Sequence, residues 1–384
     1  MTTDADIIYI LDSQREAAQQ IMRTPFELGS GPDPRELVRA ALDAHPDFAE
    51  SSSVSFLGRY IGFSNNSQAM NLLRMSVDRG GLEALRWYRR VRATRTAGVR
   101  VVALVHGLWV ETAVSLSTGV RIVSVYELPN YRTSLAARFA PDVFARSNAA
   151  AVFEIGCVEG VTDQQQHKGH EQFLAIVENI REAITASTLS EHAAPTVAEA
   201  WVEFVDPEIE AASIGHTWQM SRHDGRHAHH PTTLDEDMIA WIETYLKLPP
   251  KLAAACRVPL QRLNLARRRV NAGDKAIDGC IGLEALLSGT GSGDLMHKLS
   301  IRTALLLGKD LTERREIKKN VKDFYAVRSG MVHGRSGQAK DEQSAKEGLR
   351  LLLLAIRAVI GTGVVPDPEE WELTGGPPHN RFHV

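Results

Sequence analysis

The sequence is poor in cysteine and in long hydrophobic runs, and each shortage excludes a class of protein. Its three cysteines, Cys157, Cys256 and Cys280, stand far apart, which excludes the close cysteine pairs of a zinc site and the even number of a disulfide framework. The most apolar stretch, residues 349–360, is interrupted by two arginines and is shorter than the about 20 residues that cross a bilayer. The N-terminus has no basic start followed by an apolar segment, so no signal peptide is predicted. We expect a cytoplasmic protein that does not bind membranes.

Charge of one sign is also lacking. The 384 residues carry a formal net charge of -3, which excludes a globally basic surface that coats nucleic acid. Any contact with phosphate groups must therefore come from a local basic patch.

Strand and helix signals divide the chain. Residues 1–220 contain β-branched runs at 99–105, 108–116, 120–126 and 150–158, a turn at Ser117-Thr-Gly119 and an amphipathic helix at 169–187, so an α+β region is predicted. A polar, histidine-rich linker covers 221–233. Beyond it, helical periodicity predicts helices at 234–247, 252–270, 274–287, 295–307, 312–329 and 340–360. Residues 234–361 thus form an all-helical domain, and the proline-rich tail 362–384 is expected to be an exposed extension.

One arginine and one histidine stand where the helix at 312–329 ends. Arg328 and His333 are separated by four residues, and Gly330 and Gly334 loosen the backbone around them. Arginine presents a fixed fork of donors that fits a phosphate, and histidine exchanges a proton near neutral pH. If the histidine activates a ribose 2'-hydroxyl and the arginine stabilises the charge on the phosphoryl oxygens, RNA is cleaved without a metal or other cofactor. The products would be a 2',3'-cyclic phosphate and a 5'-hydroxyl.

Two motifs surround this pair. Gly282-Leu-Glu-Ala-Leu-Leu287 and Tyr325-x2-Arg328-Ser329-x3-His333-Gly334, together with the helix at 295–307 that carries Arg302, resemble the HEPN superfamily and its ApeA-like branch. The likeness covers residues 235–361. It implies an antiparallel helical bundle, a homodimer whose two Arg-His motifs face a shared cleft, and an endoribonuclease of a bacterial defence or toxin system. Ser329 matches the ApeA-like pattern. In such an endoribonuclease we expect residues 1–220 to sense a trigger, bind a regulatory partner or select the RNA. The resemblance also allows a non-catalytic module for dimerisation or for binding RNA, nucleotides or proteins.

Glu284 places a carboxylate among apolar positions of the helix at 274–287. An unpaired charge there is costly, so we expect it to meet a cation, with Arg302 and Arg328 as candidates, or to assist catalysis. Asp278, in contrast, is expected to be a solvated or capping group.

Residues 311–335 carry seven basic and three acidic side chains. This local excess suits a phosphate backbone, although a solvated helix face with Glu-Lys pairs explains it as well. The predicted RNA-binding residues are Arg314, Arg315, Lys318, Lys319, Lys322 and Arg335.

Two further segments have competing interpretations. Residues 81–100 combine arginines with Trp87 and Tyr88, which suits either RNA stacking or an amphipathic helix with a basic outer face, and the spacing of the apolar residues favours the second. His223, His227, His229 and His230 contain a metal-like spacing, but the glycine and proline nearby disfavour the helix that it needs, so no metal site is predicted.

Overall fold

The computed structural model describes residues 2–23, 32–50, 53–62, 65–128, 148–161, 166–214, 218–220, 231–289, 294–333 and 339–377. The chain divides into two compact units. The first comprises Met1–Val102, Val152–Val177 and Ala200–Gln219, and the second comprises Ala103–Ala151, Glu178–Glu199 and Met220–Val384. The predicted linker lies mostly outside the described residues, so the domain boundary at 221–233 stays a prediction.

The N-terminal region is α+β, as predicted. Its helices are α1 (Asp4–Ser13), α2 (Arg15–Arg23), α3 (Pro34–Asp43), α4 (Asn65–Arg79), α5 (Gly81–Ala93), α6 (Gln166–Ala186) and α7 (Pro207–Ala212). Its strands are β1 (Ser53–Phe56), β2 (Arg59–Gly62), β3 (Thr96–His106), β4 (Leu108–Trp109), β5 (Val114–Ser115), β6 (Arg121–Ser124), β7 (Ala149–Glu159), β8 (Thr196–Phe204), β9 (Ser213–Ile214) and β10 (Trp218–Met220).

These strands form three sheets. The largest has the order β10-β8-β3-β7-β6-β5, the second has the order β1-β2-β9, and β4 pairs in parallel with the short strand β11 (Thr232–Thr233). The predicted hairpin is confirmed, because β5 and β6 pair antiparallel across Ser117-Thr-Gly119 and Gly119 adopts a φ of 84° that suits glycine. The predicted strand at 108–116 is instead two short strands separated by an irregular segment.

The C-terminal portion is helical, and all six predicted helices are present. They are α8 (Glu236–Leu246), α9 (Pro250–Arg268), α10 (Ala272–Leu287), α11 (Leu295–Leu307), α12 (Leu311–Val332) and α13 (Ala339–Thr362). Short polar side chains accept backbone N–H groups at their N-termini, where a helix leaves these donors unsatisfied. Such caps are Asp235, Asn271, Asp294 and Asp310.

Helices α10, α12 and α13 approach one another closely through small residues. The ring of Phe324 in α12 is fully buried and occupies the space that side chains at Gly279 in α10 and Gly348 in α13 would need. Near the end of α12, the side chain of Met331 lies against Gly273 at the start of α10. This packing fixes the last turn of α12 against α10.

The tail contains a seventh C-terminal helix, α14 (Pro368–Thr374), so the expectation of an exposed extension is wrong for this segment. Pro368 occupies the first turn, where a proline is tolerated because its missing N–H has no partner in a helix. Trp371 is buried, and Glu372 pairs with Arg302 of α11. Among the helices in the described part of the chain, none has the length and hydropathy required to cross a membrane.

Candidate functional site

Arg328 lies in the last turns of α12 and contacts α10 through a three-residue cluster. Its Nη1 atom lies 2.5 Å from Oε1 of Glu284, and the hydroxyl of Tyr325 donates a hydrogen bond of 2.9 Å to the same oxygen. Arg328 Nη1 also donates to the Tyr325 hydroxyl, and its guanidinium carbon lies 4.9 Å from the centre of the Tyr325 ring. Glu284 therefore meets a cation, as its position predicted, and that cation is Arg328.

The local electrostatics keep these groups in their donating states. Burial, followed by the hydrogen bond to Glu284, raises the pKa of Tyr325 to about 12, so its hydroxyl stays protonated near neutral pH. Burial also raises the pKa of Cys280, which lies near the pair, to about 12. A thiol with so high a pKa is a weak nucleophile, since the thiolate is the reactive form.

His333 caps the C-terminus of α12 and is exposed. Its N–H donates to the carbonyl of Ser329 at 3.1 Å, and its backbone, with φ -92° and ψ 14°, continues the direction of the helix. At about 100° per residue, His333 follows Arg328 by roughly 140° around the helix axis. Among the described residues, no hydrogen bond or ion pair joins the two side chains. Within one chain, Arg328 faces α10 while His333 faces solvent.

Arg302 is not part of this cluster. Its side chain is 1% exposed, and its Nε lies 2.7 Å from Oε1 of Glu372. Its Nη1 donates to the carbonyls of Leu287 at 2.8 Å and of Ser288. The guanidinium therefore joins the end of α10 to α14 and does not pair with Glu284, so Arg302 is not the cation that the position of Glu284 predicted.

Asp278 is not solvated, contrary to the expectation from the sequence. Its side chain is 4% exposed and accepts from Arg262 at 2.9 Å and from Arg269 at 2.8 Å. Two arginines, one within α9 and one directly after it, thus neutralise one buried carboxylate of α10. Because the cations come from outside α10, the spacing of residues within that helix does not reveal them.

The predicted RNA-binding side chains on α12 lie mainly on its solvent face. Steps of three, four or seven residues connect Arg315, Lys319, Lys322, Ser329 and His333, and such steps keep side chains on one side of a helix. Arg315, Lys319, Ser329 and His333 are exposed, and Lys322 is half-buried.

The other charged residues of α12 lie to the sides of this face. Lys318 borders this face on one side and is half-buried. Glu316 and Asp323 border it on the other side, about 80° to 100° from Arg315 around the helix axis. Arg314 donates through Nε to the carbonyl of Gly308 at 3.0 Å, so it also closes the end of α11. Arg335 lies outside the described residues. The basic face of α12 is hereafter Arg315, Lys318, Lys319 and Lys322.

The arginine-rich helix α5 has the ordinary amphipathic arrangement that its spacing favoured. Trp87 and Tyr88 are buried, and the indole N–H of Trp87 donates to the carbonyl of Glu208 at 3.0 Å. Three of its arginines contact carboxylates of the same unit: Arg86 with Glu83, Arg89 with Asp4 and Asp47, and Arg90 with Asp206 and Glu208. The rings are inaccessible for stacking on RNA. Leu82 is one of the apolar residues whose spacing favoured an amphipathic helix, but it is 47% exposed.

Metal ligation has no candidate within the described ranges, where no three His, Cys, Asp or Glu side chains group in a way that could hold an ion. The histidines at 223, 227, 229 and 230 lie outside those ranges. The contact of Tyr325 with Arg328 was not predicted from the sequence, although an aromatic residue three positions before an arginine on a helix is placed to contact it.

Comparison with known proteins identifies no relative: no family model, no curated protein and no solved structure matches this chain.

Proposed function

We propose that the protein is a cytoplasmic, metal-independent endoribonuclease whose residues 234–361 form a HEPN-type antiparallel bundle. The observation that carries the proposal is the arrangement at the end of α12. A guanidinium is held by Glu284 and Tyr325, and an exposed imidazole follows one and a half turns later on the face that carries the basic residues.

The chemistry follows from the two side chains. His333 takes the proton of a ribose 2'-hydroxyl, whose oxygen attacks the adjacent phosphorus while the bond to the 5'-oxygen breaks, and the leaving 5'-oxygen takes a proton from water to become the 5'-hydroxyl. Arg328 stabilises the charge on the phosphoryl oxygens. Glu284 and Tyr325 occupy Nη1, whereas Nε and Nη2 of Arg328 have no hydrogen-bond partner within the described part of the chain. These two nitrogens form the fork that a phosphate binds.

Their separation around α12 supports a site shared by two chains. Side chains about 140° apart on one helix do not converge on one phosphate without rearrangement. In a homodimer, Arg328 of one protomer and His333 of its partner can flank the same linkage. The basic face of α12 would then guide the RNA towards His333, and the N-terminal region would supply the trigger or the RNA selection, in a defence or toxin setting.

The test uses purified full-length protein, single-stranded RNA and excess EDTA. Cleavage should yield 2',3'-cyclic phosphate and 5'-hydroxyl ends, and Arg328→Ala and His333→Ala should each abolish it without loss of the folded state. Mixing the two inactive variants should restore cleavage, because a mixed dimer regains one intact shared site. Cleavage that persists in His333→Ala contradicts the mechanism, and a mixture that stays inactive contradicts the shared site.

A non-catalytic module is the second candidate, and the Glu284 contact favours it, because a carboxylate neutralises the arginine that a phosphate would have to bind. In that case Arg328→Ala lowers stability or dimerisation and no RNA cleavage is found with wild-type protein. The same experiment therefore separates the two candidates.

A further inference from the structure

We propose that a cavity between α6 and α9 binds a nucleoside monophosphate. The cavity has a volume of about 310 Å³ and lies within the second unit. One wall is the C-terminal half of α6, the other is one face of α9, and the start of β8 and Tyr245 of α8 close it. Small-molecule sites span about 300 to 1,000 Å³, so this volume suits one nucleotide and excludes a larger cofactor.

The charged groups of the cavity favour an anion. Three arginines line it, Arg181, Arg257 and Arg268, against two glutamates, Glu178 and Glu182, so positive charges exceed negative ones by one. Arginine is the side chain best suited to bind a phosphate, because its planar fork of donors matches the phosphoryl oxygens. The phosphate of the ligand is therefore expected to bind between the arginines of the two walls.

Glu182, one of the two glutamates, already binds groups of the protein. Glu182 accepts from Nη2 of Arg257 at 3.1 Å and from the Tyr245 hydroxyl at 3.1 Å. Burial, followed by the neighbouring Glu182, raises the pKa of Tyr245, which keeps its hydroxyl a donor. This network positions Arg257 and reduces the repulsion that the carboxylate would exert on an anion.

A second ion pair on the α6 wall, between Arg181 and Glu178, is weak. Arg181 lies 3.6 Å from Glu178, whose side chain is 61% exposed. Ion pairs of this exposed kind contribute little, since water and salt screen them. A phosphate carrying up to two negative charges is a stronger partner for Arg181, so ligand binding can replace this contact.

Arg268 stands on a rigid polar support. Its Nε donates to Oδ1 of Asn264 at 3.1 Å, and Asn264 is 5% exposed. The Asn264 amide in turn donates to Thr188 Oγ1 at 2.9 Å and to the Pro195 carbonyl at 2.8 Å. A side chain held in this way loses little conformational freedom when it binds a ligand.

The remaining lining supplies a place for a base. Leu265 presents apolar surface backed by the buried side chains of Leu260 and Val197, and Gln261 and Thr196 present donors and acceptors beside it. An apolar surface with a few polar groups fits a planar heterocycle whose edge forms hydrogen bonds. Inorganic phosphate would leave this part of the cavity uncovered, so the base should add affinity.

The opposite side of α9 connects this cavity to the proposed nuclease site. Arg262 of α9 and Arg269, which directly follows it, both bind Asp278 of α10. Neither arginine lines the cavity. Glu284, which holds Arg328, is on the same helix α10. A ligand that orders α9 is therefore expected to change cleavage, and this last step rests on the proposed function.

Binding is tested by calorimetry and thermal unfolding of the full-length protein with AMP, GMP, CMP and UMP in turn. The nucleosides and inorganic phosphate serve as ligand controls. At least one monophosphate should bind, raise the Tm by a few degrees and exceed inorganic phosphate and its own nucleoside in affinity by tenfold or more. Arg181→Gln should weaken it by about tenfold, a decrease typical of one charged hydrogen bond.

Arg350→Gln is the matched control, because Arg350 also pairs with a glutamate three residues before it but lies on α13, outside the cavity. It should leave binding unchanged. The proposal is overturned if none of the four nucleotides binds, if inorganic phosphate binds as tightly as they do, or if Arg181→Gln has no effect. Binding is measured without RNA, so a protein that binds the nucleotide but never cleaves RNA refutes the proposed function and leaves the cavity assigned.

Discussion

The Nη1 atom of Arg328 lies 2.5 Å from Oε1 of Glu284, so the arginine assigned to the phosphate is anchored to the neighbouring helix. The side chains of the pair are 27% and 22% exposed, which leaves the guanidinium accessible to a ligand from one side. The carboxylate fixes the direction of the fork, and it also competes with a phosphate for the positive charge. The Glu284→Gln substitution removes the negative charge and keeps the size of the side chain, so it shows which effect dominates.

We expect Glu284→Gln to lower kcat for RNA cleavage by about tenfold or more, because small displacements of a catalytic group cost about that much or greater. KM should change less. Since the pair is partly exposed, the free energy of unfolding should fall by only about 1 kcal/mol. Steady-state kinetics and urea denaturation measure the two effects.

Glu347→Gln is the control, because Glu347 pairs with Arg350 on α13 and should alter neither value by much. A Glu284→Gln variant that cleaves faster than the wild type would show that the carboxylate restrains Arg328.

The basic face of α12 should govern the salt dependence of RNA binding. In a His333→Ala background, which is expected to prevent cleavage, Lys319→Glu with Lys322→Glu should weaken binding to single-stranded RNA by tenfold or more. The slope of log K against log salt should become shallower by about 0.7 for each phosphate that the variant no longer neutralises. Fluorescence anisotropy across a salt series measures both. The control is Lys340→Glu with Lys346→Glu, which changes the net charge by the same amount at exposed positions of α13. If this control weakens RNA binding equally, the effect comes from the net charge of the protein and not from the basic face of α12.

The sequence predicted the helices of the C-terminal portion well, because periodic apolar residues and N-terminal caps are local signals. It missed α14, since four prolines in residues 366–378 resemble a disordered tail, whereas burial of Trp371 depends on a distant surface. Glu284 was expected to meet a cation because a charge among core positions needs one. The choice of Arg328 over Arg302 required the packing of α12 on α10. Asp278 was misjudged for the same reason, as both its partners come from outside α10.

Burial of Trp371 predicts that α14 contributes to stability. Trp371→Ala removes a side chain that is 3% exposed and should lower the free energy of unfolding by about 3 to 5 kcal/mol. Leu373→Ala removes a side chain of the same helix that is 89% exposed and should change it by about 0.5 kcal/mol or less. Urea denaturation compares them. Equal stabilities would mean that α14 does not pack on the protein in solution.

Glu199 should make stability depend on pH. It is 1% exposed, neither carboxylate oxygen has a hydrogen-bond partner among the described residues, and burial raises its pKa to about 7 from 4.5. Below pH 4.5 the acid is protonated in both the folded and the unfolded chain. As pH rises from 4.5 to 7, this proton leaves the unfolded chain before it leaves the folded one. The contribution of Glu199 to the free energy of unfolding therefore falls by up to about 1.4 kcal/mol per pH unit.

Glu199→Gln replaces the titratable carboxyl group by a neutral amide, so stability no longer depends on protonation at this position. The variant should be more stable than the wild type at about pH 8 and should lose the difference near about pH 5, which urea denaturation at both values resolves. Glu154→Gln, on an exposed position of β7, should follow the wild type at each pH. Parallel pH profiles for wild type and Glu199→Gln would show that Glu199 is solvated or paired.

Gly348 should be intolerant of any side chain. A Cβ at this position would overlap the ring of Phe324, which is fully buried between α12 and α13 and cannot move without displacing other core residues. Gly348→Ala should therefore lower the free energy of unfolding by about 1 to 3 kcal/mol despite the higher helix propensity of alanine. Gly156→Ala is the control, because a Cβ there meets nothing within 4 Å. Combining Gly348→Ala with Phe324→Leu should recover part of the stability by making room for the added methyl group. A stabilised Gly348→Ala protein would mean that α12 and α13 pack less closely than their glycine contact requires.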